Sequence, residues 1–544
     1  MGDPLDATGE LGPLGVAESG LDRRSEVRQR HHTGGGEHEE DDQESHWASE
    51  PNHDGAIRWH APAPVASHGE TSNGAPSGAV GRWVPGRVMA RSDVVVAWFR
   101  RDLRLSDNPA LADAVGAAEH VVPLFVHDPV LRRHAGPARQ AHLLACLAEL
   151  DRALDGGLVQ RCGRPATVVR DVAQEVEADA VYVAEDFGPY GVLRDAQVES
   201  SLDADGRRLE RVGSPYAVPP ATVLTVSASP YRVFTPFSRA WRAHGWADPV
   251  ARPTRLSVIG GVSSDAVPDA PPVDADLPDA GEAAAHRRLD RFLAGPIEDY
   301  ATDRDRPDRP GTSHLSVDLK YGTIHPRQVL ARLGRGEGPH TFETELCWRD
   351  FYADVLHHRP DSAWQEYDRS MSSIHWDTGR RADDRFDAWA HGQTGYPIVD
   401  AGMRQLLATG WMHNRLRMVT ASFLVKDLHL DWRRGARWFL DHLVDGDLAS
   451  NNHGWQWVAG CGTDAAPFFR VFNPTTQGRR FDPDGDYVRR WVPELAGVDG
   501  RAVHEPWKAA GDDTLFDGPT SRYPDRIVDH AHEREEALAR YQRR

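Results

Sequence analysis

The stretch DGDLASNNHGWQWVAGCGTDAAPFFRVFNP, residues 445–474, sets Trp455 and Trp457 among carboxylates, paired asparagines and a closing arginine. Two further segments repeat that mixture at helical spacing. In ETELCWRDFY, Glu345, Trp348, Arg349 and Tyr352 fall at i, i+3, i+4 and i+7, and in GWMHNRLRM the same spacing links Trp411, Asn414, Arg415 and Met418. Such positions share one helical face. A solvated face carries Lys and Glu; a face of indole, amide and guanidinium suits the wall of a ligand cavity, although a buried hydrogen-bond network packed with Trp is the structural alternative. The ligand these residue types fit is flat, hydrogen-bonding and π-rich, with phosphates. Ser and Thr clustered in PGTSHLSVDLKYGTIHP (310–326) suit phosphate at a helix start, or equally caps and turns.

The elements that must position these groups come in two kinds. From residue 93 strands and helices alternate: DVVVAWF, HVVPLFVHDP, ATVVR and AVYVAED read as strands, with helices in SDNPALADAV, ARQAHLLACLAELDRAL and VAQEVEA. That alternation predicts an α/β domain with a doubly wound parallel sheet over 92–225. The first strand leads into RRDLRLSDN, not the glycine-rich turn of a nicotinamide-binding fold. A Pro- and Asp-rich connector follows over 226–290. Residues 291–535 show helical periodicity with no clear strand, which predicts an all-α domain and leaves a tail at 536–544. Residues 1–91 are polar, acidic, His-, Gly- and Pro-rich, and read as a disordered leader, with a His-rich metal tail as the alternative.

Composition narrows the function. The chain has 544 residues, 17 Trp against 6 Met, and a formal net charge of −19, so any DNA contact must be a local basic patch on an acidic body. Four scattered cysteines, Cys146, Cys162, Cys347 and Cys461, offer neither a disulfide framework nor zinc spacing, so no metal is expected and a reducing cytoplasm is. No apolar run suggests a membrane span.

WFRRDLRLSDNPAL, GTSHLSVDLKYGTIHPRQ, ELCWRDFY, TGYPIVDAGMRQLLATGWMHNRLRM, FLVKDLHLDWRRG and the 445–474 stretch together resemble the photolyase/cryptochrome family, in order, over about 93–535. The resemblance implies an antenna domain followed by a helical domain that binds flavin adenine dinucleotide (FAD). It implies a blue-light flavoprotein lyase for DNA repair, closest to bacterial enzymes that split cyclobutane pyrimidine dimers by electron transfer from excited reduced FAD to a flipped-out dimer. Position by position, it makes Tyr300, Thr312, Ser313, Leu315, Ser316, Arg349, Tyr352, Trp411, Asn414, Arg417, Asp445, Asp447 and Asn451 cofactor contacts, with Arg417 and Asp445 an ion pair. His314 stands where the family usually has Arg, Lys or Gly.

Glu345, Trp348, Asn414, Met418 and Trp457 match the lesion pocket. Trp455, Trp432 and Trp376 match the inner, middle and outer members of an electron relay. Arg304, Arg415 and Arg470 match phosphate contacts to DNA, with Arg479 and Arg480 extending them. AEDFGPYGVLRD (184–195), with Gly188, Pro189, Tyr190 and Gly191, and HAGPARQAHLLACL (134–147) imply a second, light-harvesting chromophore, a deazaflavin in preference to methenyltetrahydrofolate. The expected partner is dimer-containing DNA, bound by a monomer. The alternative is a cryptochrome-type receptor without repair; a (6-4) photoproduct enzyme would carry His at Asn414.

Overall fold

The computed structural model describes residues 92–465, 467, 469–509 and 522–543, and the leader expected over 1–91 lies outside them. The first half is built on β1 (Ser92–Phe99), β2 (Ala118–His127), β3 (Val159–Cys162), β4 (Ala180–Val183) and β5 (Arg208–Arg211). All are parallel, in the order β3-β2-β1-β4-β5. Around them run α1 (Pro109–Ala117), α2 (Pro129–Arg133), α3 (Pro137–Ala153), α4 (Pro165–Glu175) and α5 (Pro189–Asp203). Central β1 is covered on both faces: Val95, Ala97 and Phe99 enter one apolar cluster and Val96 and Trp98 another, as its unbroken apolar run requires.

One predicted strand is a helix. ATVVR lies in α4, where Pro165, Val169, Val172 and Ala173 are buried on one side, a helical period that its β-branched residues conceal. The strand in that place is β3, VQRC, a four-residue edge with only one partner, β2.

The second half is helical: α6 (Phe234–His244), α7 (Glu282–Leu293), α8 (Tyr300–Asp303), α9 (Ser316–Tyr321), α10 (Pro326–Leu330), α11 (Glu337–His358), α12 (Arg380–Ala390), α13 (Pro397–Thr409), α14 (Asn414–Ser422), α15 (Trp432–His442), α16 (Leu448–Ala459), α17 (Pro474–Phe481), α18 (Asp486–Trp491), α19 (Pro506–Ala509) and α20 (His530–Gln542). The expected connector thus holds α6 and the start of α7, and the expected tail is the second half of α20.

A π-helical turn, Phe423–Asp427, follows α14, and α20 closes over it. Asp427 pairs with His530, His429 with Glu533 at 2.7 Å, and the Lys426 ammonium lies 3.4 Å from the Tyr541 ring centroid. Burial pushes the Asp427 carboxyl up to about 6. Among the described residues no helix is long and apolar enough to cross a membrane.

Candidate functional site

The sheet order reverses between β1 and β4, and ligands of open α/β sheets bind beyond the strand ends at such a point. Arg100 and Arg101 leave β1 there. Arg100 pairs with Asp195, Arg194 with Asp186 at 3.0 Å, and both guanidinium groups lie on the Trp98 ring. Gly188 caps α5 and donates its amide to Asp186, while the Tyr190 hydroxyl donates to Asp128. Gly191 has to be glycine: a Cβ would stand 2.2 Å from the Asp186 carboxyl carbon.

Arg101 reaches the other half of the protein and pairs with Asp447 at 2.8 Å, while Lys320 stands 4.0 Å from the same carboxylate. Burial disfavours the Asp447 charge, but Arg101 and Lys320 outweigh it and hold the carboxyl well below the usual range. Burial and Arg101 together push the Lys320 ammonium down to about 7. Asp447 also caps α16, accepting from the Ser450 amide at 3.1 Å. Within the 445–474 stretch, Leu448–Ala459 therefore form a helix, concealed by Asn451, Asn452 and Gly454, which all have low helix propensity.

On α16, Trp455 and Trp457 stand two positions apart and so point about 200° from each other. Trp455 is 3 % exposed; Trp457 is half-buried at the edge of the same core. Gly435 on α15 makes room for the inner indole, since a Cβ there would come 2.1 Å from Trp455 Cη2. Gly435→Ala is expected to overpack that contact and lower stability by about 1–3 kcal/mol, read by denaturant unfolding; an unchanged midpoint would show that the indole moves aside freely.

The cofactor candidates gather around α9, α11, α14 and α16. Arg417 donates to Asp445 at 2.8 Å, as expected, and also to the Met412 carbonyl at 2.9 Å. The Asn451 amide group donates to the Ala436 carbonyl at 3.0 Å and to Asn452 at 2.8 Å, so its carbonyl oxygen is the atom left to offer. In the 311–316 loop, Ser313 Oγ accepts from the Leu315 amide at 3.2 Å, Leu315 is buried, and Thr312 and Ser316 are more open. Ser316 Oγ accepts from Trp411 at 3.2 Å, and His314, in the left-handed region at φ 56°, packs its ring 4.1 Å from Trp411. Tyr300 is held edge-on by Phe292 and Phe342, and Tyr352 stacks on His453 at 5.6 Å.

Arg349, also expected at the cofactor, has partners within the protein. Its guanidinium donates to the backbone carbonyls of Pro215 at 2.9 Å and Leu319 at 3.1 Å and lies on the Tyr216 ring, which makes it a tie between α11 and its neighbours.

Three buried polar atoms here have no hydrogen-bond partner among the described residues: Asp445 Oδ1, His413 Nε2 and Trp455 Nε1. His413 Nδ1 accepts from the Arg415 amide, so its Nε2 carries the proton and must donate. A fixed acceptor, two fixed donors and an arginine–aspartate pair fit a polar heteroaromatic cofactor, because buried polar groups otherwise find partners inside the protein.

The lesion-pocket candidates stand on two cores. Trp348 stacks on Phe234 at 3.6 Å and 6° and belongs, with Tyr352, to the edge of the cluster around Phe342 and Phe351. Met418 and Trp457 edge the cluster around Trp389 and Trp432. Phe234 was invisible as a partner because it lies on α6, in the presumed connector. Asn414 is exposed at the first turn of α14.

The expected DNA rim is mostly self-paired. Arg304 holds Glu345 at 2.8 Å, Arg415 holds Asp305 at 2.6 Å, and Arg479 pairs with Glu505, as follows where acids outnumber bases. Arg480 lies on the Phe481 ring. Arg470 is exposed and makes no ion pair with any described residue.

The relay candidates are not in face-to-face contact. Among the described residues, the ring neighbours of Trp455 are Phe439 at 5.0 Å and Trp389 at 6.0 Å. Trp432 is fully buried and donates to Glu366 at 3.4 Å, and Trp376 is half-buried.

Comparison with known proteins completes the picture. Residues 95–254 match the family model described as DNA photolyase, and 342–543 match the FAD binding domain of DNA photolyase. The deoxyribodipyrimidine photo-lyase of Streptomyces griseus is 44% identical over 463 residues, spanning 83% of this chain and 98% of that protein. A bacterial class III photolyase from Agrobacterium tumefaciens superposes with a TM-score of 0.77 at 38% identity, covering 84% of this chain and 98% of that one. An archaeal photolyase from Sulfolobus tokodaii, described as having two FAD molecules with the implication of a novel light-harvesting cofactor, gives a TM-score of 0.69 at 29% identity, covering 83% of this chain and 100% of that one.

Proposed function

Because the chain belongs to the DNA photolyase family, we propose that it binds FAD in its helical half and uses light to split cyclobutane pyrimidine dimers in DNA. The observation that carries this reading is one connected set of contacts. It runs from Trp348 and Glu345 on α11, through Arg304 and Asp305, to Arg415 on α14, two residues before the Arg417–Asp445 pair. These contacts support a reading in which lesion walls, basic rim and cofactor cradle adjoin one another.

Arg417, Asp445, Asn451, Tyr300 and the 311–316 loop would hold FAD, which would supply light-driven electron transfer to the dimer with no net redox change. The chain's own residues do the rest. Asp445, buried against Arg417, is a fixed acceptor, and Asn451 offers a carbonyl oxygen. Trp348 and Trp457 supply π-surfaces that replace the stacking a base loses when it leaves the duplex. Glu345, its carboxyl pushed up by burial against the pull of Arg304, can donate a hydrogen bond to a carbonyl on which negative charge develops. Asn414, exposed at the start of α14, can donate as a second such group. Trp455, buried and one helical turn after Asn451 on α16, would refill an oxidised flavin, with Trp432 and Trp376 as the further relay members.

The second chromophore is a deazaflavin seated at the switch point, near Asp186, Gly188 and Tyr190. The support is positional: a capped helix start, two arginines over Trp98, and a glycine that lets the Asp186 loop close. The chain works as a monomer in the cytoplasm, where its four cysteines, all unpaired, remain thiols.

The test is to release and identify the chromophores, then assay dimer loss in light and dark. FAD with a deazaflavin and light-dependent repair are expected. A folate or a second FAD would replace the antenna assignment alone, and flavin without repair would leave the receptor reading.

A further inference from the structure

We propose that Arg304 is a DNA-operated control on Glu345: it holds the carboxylate in the free protein, and when a strand phosphate draws the guanidinium away, Glu345 takes a proton from solvent. Binding the damaged strand would then itself arm the pocket with its hydrogen-bond donor. This rests on the lesion-pocket reading above.

The geometry carries the inference. Arg304 ends α8 at the rim, and its Nη1 lies 2.8 Å from Glu345 Oε1, with both side chains 27% exposed and so open to an incoming strand. Asp305, the next residue, binds Arg415 through two donors, at 3.2 and 2.6 Å. Two consecutive residues thus tie up an acid on α11 and a base on α14.

The ionisable groups around Glu345 are few. Arg304, Asp305 and Tyr300 face it from the α8 segment. Tyr352 stands on its own helix with Asp464 facing that tyrosine, and Arg415 on α14 is already engaged by Asp305. Burial raises the Glu345 carboxyl, Asp305 raises it further, and Arg304 alone among these lowers it.

A phosphate competes well for a guanidinium, since charge-assisted pairs of that kind are short and two-pronged. Once Arg304 turns to a phosphate, the remaining influences on Glu345 favour the neutral acid. The bound-state pKa then exceeds the free-state value, so binding takes up a proton between the two. Affinity is greatest at the acid side of that window and falls as pH rises through it, by up to about tenfold per pH unit for one proton.

The experiment measures binding of the full-length protein to a duplex carrying one dimer, and to the same duplex intact, across pH and at two salt concentrations. Calorimetry in two buffers of different ionisation enthalpy counts the protons. The unmutated protein is expected to show the pH slope and proton uptake on dimer DNA. Glu345→Gln should lose both while keeping its full salt dependence. Arg304→Gln, which removes the group that lowers the Glu345 carboxyl, should lose the pH slope and about one ion from the salt dependence. Arg304→Lys should keep the slope, separating lost charge from lost fold.

A pH slope that survives in Glu345→Gln or in Arg304→Gln overturns the proposal, as does an unmutated protein with dimer preference but no proton uptake. Equal binding of both duplexes by the unmutated protein would instead sink the lesion-pocket reading beneath it.

Discussion

Replacing Trp348 by alanine should weaken binding to DNA with one dimer by about ten- to a hundred-fold and leave affinity for the intact duplex nearly unchanged. A dimer leaving the helix loses stacking on both sides, and each base–aromatic contact that replaces it contributes roughly 1–3 kcal/mol. Trp348 is set up to provide such a contact: Phe234 is stacked on it at 3.6 Å, so the indole is oriented before any ligand arrives and little ordering entropy remains to be lost. Intact duplex binds through its phosphates and never meets this ring. Titrations of the two DNAs, with an unfolding curve to confirm that the variant is folded, decide the matter. Equal losses on both DNAs would place Trp348 outside the lesion slot.

Trp455→Phe should stop photoreduction of oxidised flavin and leave dimer repair intact once the flavin has been reduced chemically. An indole is the side chain most readily oxidised beside an excited flavin, and phenylalanine is far harder to oxidise. Phenylalanine is also the mildest steric change here, since the site is walled by Phe439, Trp389 and the bare α15 backbone at Gly435. Absorbance under illumination without added reductant reads the first effect, and repair after chemical reduction reads the second. Photoreduction at the ordinary rate would remove Trp455 from the inner position.

What the sequence made legible follows from how local each signal is. The β1 run DVVVAWF declares a strand buried on both faces and needs no partner to be read. ATVVR misleads because Val168 and Val169 favour strands in isolation, and only the burial of Val169, Val172 and Ala173 together exposes the helix. β3 and β5 are four-residue edges too short to show a period. Within the site, residues sharing one helix, such as Glu345 with Trp348, could be grouped from spacing. The pairings Arg304–Glu345, Arg101–Asp447 and Phe234–Trp348 could not, because each joins separate elements that only the fold brings together. Arg349 shares the face of Glu345 and Trp348, and spacing likewise hid its bonds to the Pro215 and Leu319 carbonyls.

The clasp between α20 and the π-helical turn bears on how the protein is born. Lys426, 1% exposed, and Asp427, fully buried, meet Tyr541 and His530, which belong to the final helix of the chain. Until those residues are synthesised the helical half would have to bury two charges without these partners, at a cost of several kcal/mol each. Synthesis runs from the N-terminus and domains fold as units, so the sheet half can close early while the helical half waits for α20. Deleting α20, His530–Gln542, is therefore expected to unsettle the helical half while the sheet half keeps its fold, read by near- and far-UV circular dichroism of the truncated protein.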